Sequence, residues 1–221
     1  MKASPIIMSA ESVLAILAGR KSQSRRVVTP GTSTLGSSTW DALDFSDPCN
    51  FVDRGSVANP FCPVPETQYL HVWTLDKSSA RETCHRVYPR IEAGTRLWVR
   101  EGHGWCRFCG SLVYRADNRK LGTCDDGACR PRWESPIFIP RHLSRIALEV
   151  TSVHVQRVQA ITDEDAIAEG VKTMLGPEGE YPSGHPRADY ADAWDKRNAH
   201  RSGCSWESNC YVWVYDFKRF T

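Results

Sequence analysis

Hydrophobic and polar positions recur with two periods along this chain, and the places where the period changes divide it into elements. Ser9 precedes AESVLAILA, where Val13, Ile16 and Leu17 recur at helical spacing. The run reads as a helix capped by Ser9 and closed near Gly19. Val27 and Val28 then open a strand-like stretch. Residues 29–67 lose all periodicity and are rich in Ser, Thr, Gly, Pro and Asp, the composition of a long irregular surface insertion. YLHVWTL (69–75) and GTRLWVRE (94–101) read as strands. In RIALEVTSVHVQRV (145–158), Ile146, Leu148 and Val150 hold one phase, while Val153, Val155 and Arg157 hold the other. A period-2 pattern changes phase through an extra residue, so a bulge or sharp bend is expected at residues 151–152.

The later pattern is shorter in wavelength. TDEDAIAEGV (162–171) predicts a short helix with Thr162 and Asp165 at capping-box spacing. Residues 175–187 form a Gly/Pro loop, and RADYADAWDKRNAH (187–200) is helical with Tyr190 and Trp194 four apart. YVWVYDFKRF then sets Val212 and Val214 against Tyr211, Trp213, Tyr215 and Phe217. Strands and short helices alternate without βαβ regularity. The expected class is therefore α+β, a compact small β-barrel with flanking short helices, and not a doubly wound sheet. Residues 1–221 read as a single domain carrying insertions at about 29–67 and 102–130.

Composition narrows the setting. An apolar content of 41% is enough for a core. No apolar run approaches the roughly 18 residues of a membrane span. The segment MKASPIIMSAES is too weakly apolar to read as a secretory signal. The expected setting is the cytoplasm, with no membrane partner. Thiols stay mostly reduced there, so the nine cysteines are read first as metal ligands or buried thiols.

Four of those cysteines are ordered. Cys106 and Cys109 form C-x2-C, Cys124 and Cys129 form C-x4-C, and fourteen residues separate the pairs. Gly110, Gly122 and Gly127 lie where tight thiolate turns need them. Tetrahedral Zn²⁺ takes four thiolates at about 2.3 Å, and paired cysteines on two turns supply them. Four closed thiolates leave no open position, so the expected role of the zinc is structural, with no catalytic cofactor. Reduced surface thiols are the plainer alternative. Cys49, Cys62, Cys204 and Cys210 show no ligand spacing, and Cys210 reads as a buried thiol.

Net charge is only +2, yet GRKSQSRR (19–26) holds four cations and two hydroxyls in eight residues. This cluster, RLWVRE, IPRHLSRIALEVTSVHVQRVQAITDEDAIAEGV and AWDKRN…SWESNCYVWVYDFKRF together resemble, in order, the ASCH domain of the PUA-like superfamily, in its phage and prophage branch. The resemblance covers residues 6–28, 93–101, 131–173 and 188–221, a little under half of the chain. The family pattern G-x-K-x-x-x-x-R is present as Gly19, Lys21 and Arg26. What the resemblance implies is a PUA-like barrel that engages RNA or modified nucleosides. One small ASCH enzyme type hydrolyses the amide of N4-acetylcytidine with a Lys, a Thr three residues on, and a Glu in the helix after the long β-run. Lys21 matches the lysine, Ser24 stands at the threonine position and keeps its hydroxyl, and Glu169 matches the glutamate.

The chemistry is coherent in itself. A hydroxyl becomes a nucleophile when a base takes its proton, and a desolvated lysine can be that base. Arg20, Arg25 and Arg26 would lower its pKa by like-charge repulsion and offer phosphate contacts. Glu169 would hand a proton to the departing amine. Arg141, Ser144 and Arg145, with Trp133 nearby, would form a second nucleic-acid-binding wall. Taken alone, the same residues also fit a solvated basic edge with turn serines and an exposed helix glutamate. Four functions remain open here: an amidohydrolase acting on an N4-acylated cytidine, a non-catalytic RNA or modified-base binding module, a metal-independent ribonuclease, and an adaptor in phage assembly with the zinc knuckle as its protein-binding arm.

Overall fold

The computed structural model describes residues 3–28, 70–76, 81–120, 123–124, 127–128, 131–171 and 185–220. In chain order the strands and helices are β1 (Ala3–Ile7), α1 (Ala10–Leu17), β2 (Gln23–Val27), β3 (Leu70–Asp76), β4 (Arg81–Val87), β5 (Arg96–Arg100), β6 (His103–Cys106), β7 (Leu112–Tyr114), β8 (Thr123–Cys124), β9 (Gly127–Ala128), β10 (Pro131–Glu134), β11 (Ala147–Arg157), α2 (Asp163–Ala168), α3 (Pro186–Asn198) and β12 (Tyr211–Phe220). The class is α+β, as the mixed periods predict. The expected insertion at 29–67 lies outside the described residues, as does most of the loop at 175–187.

The two phases of β12 set the architecture. Tyr211, Trp213, Tyr215 and Phe217 enter one core with Ile6, Val13, Ile16, Leu97, Val99, Leu148 and Val150. Val212 and Val214 enter a second core with Val158, Ile161, Ala166, Tyr190, Trp194, Cys204 and Cys210. A strand buried on both faces belongs inside a sheet, and β12 lies between β11 and β2 in the five-stranded order β1-β5-β11-β12-β2. β1 pairs with β5 in parallel, and the other three pairings are antiparallel. The register of β11 against β12 shifts between Val150 and Ser152, the expected bulge. Cys210 is buried as expected, and Cys204 is a core thiol beside it.

The expected barrel takes an open form among the described residues, with β1 and β2 as edges. Four strand intervals of about 4.8 Å would hold the edges of a flat sheet far beyond the reach of one side chain. Yet the Arg26 Nη2 of β2 donates to the Ile7 carbonyl of β1 at 2.6 Å. The sheet therefore curls until its edges face each other, joined by a side chain and not by a ladder. Backbone pairing also corrects the reading of the basic cluster. Residues Gln23–Val27 are a strand that begins before the expected opening at Val27, and hydrophobic periodicity missed its start because its buried positions are Gln23, Ser24 and Arg25.

The 102–130 insertion is tied down. β6 sits between β10 and β7 in a small sheet, and β8 pairs with β9. Ala116, in the 3-10 turn after β7, belongs to the main core, and the Tyr114 hydroxyl donates to the Leu143 carbonyl at 2.6 Å.

Candidate functional site

The backbone brings Lys21 and Glu169 together from 148 residues apart. After α1, the N–H groups of Arg20 and Lys21 both return to the Ala15 carbonyl, at 2.9 and 3.2 Å. The Ser22 N–H donates to the Ala168 carbonyl at 2.9 Å, clasping the end of α2. The start of α2 is fixed by the capping box of Thr162 and Asp165, and Glu169 closes the helix. Gly170 follows with φ of +94°, and a Cβ there would stand 2.9 Å from that of Ala15 and 3.2 Å from that of Lys21. Only glycine permits this approach.

Glu169 collects donors. Its Oε2 accepts from Lys21 Nζ at 2.6 Å, and its carbonyl accepts from the same ammonium at 2.6 Å. Its Oε1 accepts from the Arg25 N–H and, at 3.4 Å, from the Tyr190 hydroxyl. Both Lys21 and Glu169 are buried. Burial lowers the Lys21 pKa; Glu169 opposes the fall without cancelling it, and the charges of Arg197 and Arg26 add to it. Burial also pushes the Tyr190 phenol well above its ordinary range, helped by the Glu169 charge. With both carboxylate oxygens occupied as acceptors, Glu169 holds Lys21 and is not free to act as the proton donor expected of it.

Arg25 departs from its expected role as a phosphate contact. Its guanidinium has 0% side-chain exposure, pairs with Asp165 Oδ2 at 2.8 Å and donates to Gln23 Oε1. The Gln156 amide, turned with its oxygen toward Arg25, accepts from Nη2 at 2.8 Å and Nε at 3.2 Å. A side chain so enclosed braces β2 against α2. Arg20 and Arg26 are exposed, and Arg20 makes one long contact, 3.4 Å, to the Gly170 carbonyl. Ser24 pairs with Tyr215 across the ladder, so it shares Tyr215's face of the sheet, opposite Arg25. It is buried, and its hydroxyl makes no hydrogen bond among the described residues.

The second expected wall is largely structural. Arg145 Nε and Nη2 grip Glu101 Oε1 and Oε2 at 2.8 Å each, and Nη1 reaches Asp117 at 2.6 Å. The Ser144 hydroxyl donates to the carbonyls of Val99 and Ile146. Of these three residues, Arg141 alone is exposed. Arg145 and Ser144 are thus committed inside the fold and leave little for a ligand.

Of the four expected zinc ligands, Cys106 and Cys109 share one turn. The Gly110 N–H returns to the Cys106 carbonyl at 3.0 Å with φ of +68°, the tight reversal a metal knuckle needs. Cys124 lies on β8, paired with Gly127 of β9, and Cys129 lies outside the described residues. No group of three or more His, Cys, Asp or Glu gathers around a metal-sized space among the described residues. Only half of the expected ligand set has described side chains. No described helix is long and apolar enough to cross a membrane.

Sequence reasoning missed Tyr190, Asp165 and Gln156 as partners of the site, and Arg197 as a charge beside it. The run DKRNAHR at the end of α3 was the available signal for the last. No protein-family model, curated protein or solved structure matches the chain.

Proposed function

We propose that this is an ASCH-type protein of the PUA-like superfamily, its curled sheet standing for that family's small barrel. It engages a modified nucleoside or RNA and removes the acyl group of an N4-acylated cytidine. The observation that carries the reading is the buried contact of Lys21 with Glu169 at 2.6 Å, between two groups the family resemblance had paired. A lysine with its pKa lowered by burial is suited to accept a proton. In the proposed reaction Ser24 Oγ attacks the amide carbonyl carbon and its proton passes to Lys21 Nζ. The C–N bond breaks as Lys21 returns that proton to the departing amine, leaving an ester on Ser24. Water hydrolyses the ester and releases the carboxylic acid. Glu169 and, through it, Tyr190 and Arg25 hold Lys21 in place. Contacts to a reacting group tighten when substrate binds, so the unengaged Ser24 hydroxyl of the free protein is compatible with this role.

Incubation with N4-acetylcytidine and product analysis by mass spectrometry test the reading. Deacylation by the wild type and by Ser24→Thr, with none by Ser24→Ala, is the expected result; no product from the wild type overturns it. A non-catalytic binding module is the second reading, favoured by the absence of a Ser24–Lys21 hydrogen bond. It predicts that the nucleoside is bound and recovered unchanged.

The proposal includes one structural Zn²⁺ held by Cys106, Cys109, Cys124 and Cys129. The Cys106 turn and the paired short hairpins fit a two-knuckle site. Elemental analysis of protein purified without added metal should find about one equivalent, and less than about a tenth with freely titrating thiols would remove the metal from the account.

A further inference from the structure

The Lys21–Glu169 pair accounts for the acyl end of a ligand but not for the positive charge that surrounds it. A cavity of about 400 Å³ opens where the edges of the curled sheet face each other, under the end of α3. Its walls include Arg26, Arg90, Arg197 and Arg201, with Trp213 and Tyr215 from β12, and no aspartate or glutamate. The four arginines come from four places: β2, the segment before β5, the last turn of α3 and the turn after it. All four are exposed by surface area, although the Arg26 guanidinium is set deeply enough between the sheet edges that burial lowers its pKa. None has a carboxylate partner within ion-pair distance among the described residues, whereas Arg25, Arg145 and Lys21 all do.

Assembling four like charges from four separate segments around one space works against folding. Leaving these four without a carboxylate creates a local positive field on a nearly neutral protein. Guanidinium forks match the oxygens of phosphate, and an aromatic wall suits a sugar or base. The cavity also adjoins the site already described. Arg197 and Arg26 lie close enough to Lys21 for their charge to bear on its proton, and Arg197 sits over the Tyr190 ring at 5.9 Å.

We propose that this arginine cavity binds a phosphate ester, so that the ligand is a nucleotide, free or within an RNA strand, and not a free nucleoside. The nucleoside half of that statement rests on the function proposed above; the phosphate half rests on the cavity. A mononucleotide and a strand share the phosphate, and the strand adds contacts beyond it.

Calorimetric titration of the full chain with cytidine, cytidine 5′-monophosphate and a short single-stranded cytidine-rich RNA tests the inference. N4-acetylcytidine and its 5′-monophosphate are assayed in parallel for deacylation. The monophosphate should bind at least about tenfold more tightly than the nucleoside, the scale of one or two charge-assisted hydrogen bonds. The double variant Arg197→Ala/Arg201→Ala should erase that preference while leaving the nucleoside's own affinity in place. Arg90→Ala, on a different segment, should reduce it as well. A strand binding much more tightly than the monophosphate identifies RNA as the source of the phosphate, and equal affinities identify the mononucleotide. Equal affinity for nucleoside and monophosphate, no binding of either, or a preference that survives both variants overturns the inference. A phosphate preference without deacylation of either acylated compound upholds it and instead removes the hydrolase reading.

Discussion

Two buried glutamates hold two different cations, and the difference separates a fixed clamp from a group whose proton is loosened. Glu101 is enclosed, and Arg145 closes on it with two parallel hydrogen bonds while a third reaches Asp117. Burial works against the guanidinium charge, but the bonds to Glu101 and Asp117 outweigh it and raise the Arg145 pKa. Nothing in that arrangement can give up a proton. Glu169 is equally enclosed but meets a compact ammonium, and there burial wins and the Lys21 pKa falls. A planar fork suits a fixed clamp; a desolvated amine suits a proton acceptor. Position agrees with this division. Arg145 ties the cysteine-bearing insertion to β5, whereas Lys21 feels the charge of Arg197 and Arg26 from the wall of the arginine-lined cavity.

The largest effect expected is from Glu169→Ala. It leaves Lys21 buried without its counter-charge and frees the N–H of Arg25, so a loss of about 3–5 kcal/mol is expected, as for other broken buried pairs. Urea denaturation measures it, and a loss below about 1 kcal/mol would mean that the pair is dispensable to the fold. Next is Lys21→Arg, which carries the Arg145 solution into the other site. The charge survives and the ability to release a proton does not. Turnover should fall by at least about 100-fold, near 3 kcal/mol in barrier, with a much smaller loss of stability. Retained turnover would show that the proton goes elsewhere. The reciprocal Arg145→Lys removes the two-pronged grip on Glu101. Arg145 keeps 27% of its side chain exposed, so water softens the loss to about 1–2 kcal/mol, with deacylation unchanged. A fall in activity would contradict the division between the two pairs.

The local half of this structure was legible in the chain. The Ser9 cap, the Thr162–Asp165 box, the double burial of β12 and the bulge after Val150 each express a period or a short spacing, and such signals need no distant partner. Only the Val27 end of β2 was legible as a strand. Its buried positions carry a glutamine, a serine and an arginine, and the glutamine and arginine are stable inside because Asp165, Asp216 and Glu169 arrive from far along the chain. The same limit hid the cavity, since nothing near Arg90 in sequence announces Arg26, Arg197 or Arg201. It also made Arg25 and Arg145 look like surface cations when both are consumed by internal carboxylates. Lys21 and Glu169 were paired through family resemblance alone, because a contact across 148 residues has no local signature.

The smallest expected effect is a slope in stability with pH, and it isolates Lys21. Its folded pKa lies below the ordinary value of 10.5, so between the two the unfolded chain holds more protons than the folded one. Stability attributable to Lys21 therefore rises with pH across that window, from the depressed folded value up toward 10.5. Below the window the lysine is protonated in both states and adds no slope. Lys21→Arg is the proper reference, because a guanidinium does not titrate there. Tyr190 acts in the opposite direction, since its raised pKa costs stability above its ordinary value of 10.0, but it is present in both proteins and cancels. The difference in unfolding free energy, wild type minus Lys21→Arg, should thus climb as the pH rises toward 10.5. The limit is about 1.4 kcal/mol for each unit by which Lys21 is depressed. The same deprotonation should raise deacylation over the same range in the wild type. Parallel stability curves for the two proteins would mean that Glu169 fully compensates the burial of Lys21, and that the two buried pairs are alike after all.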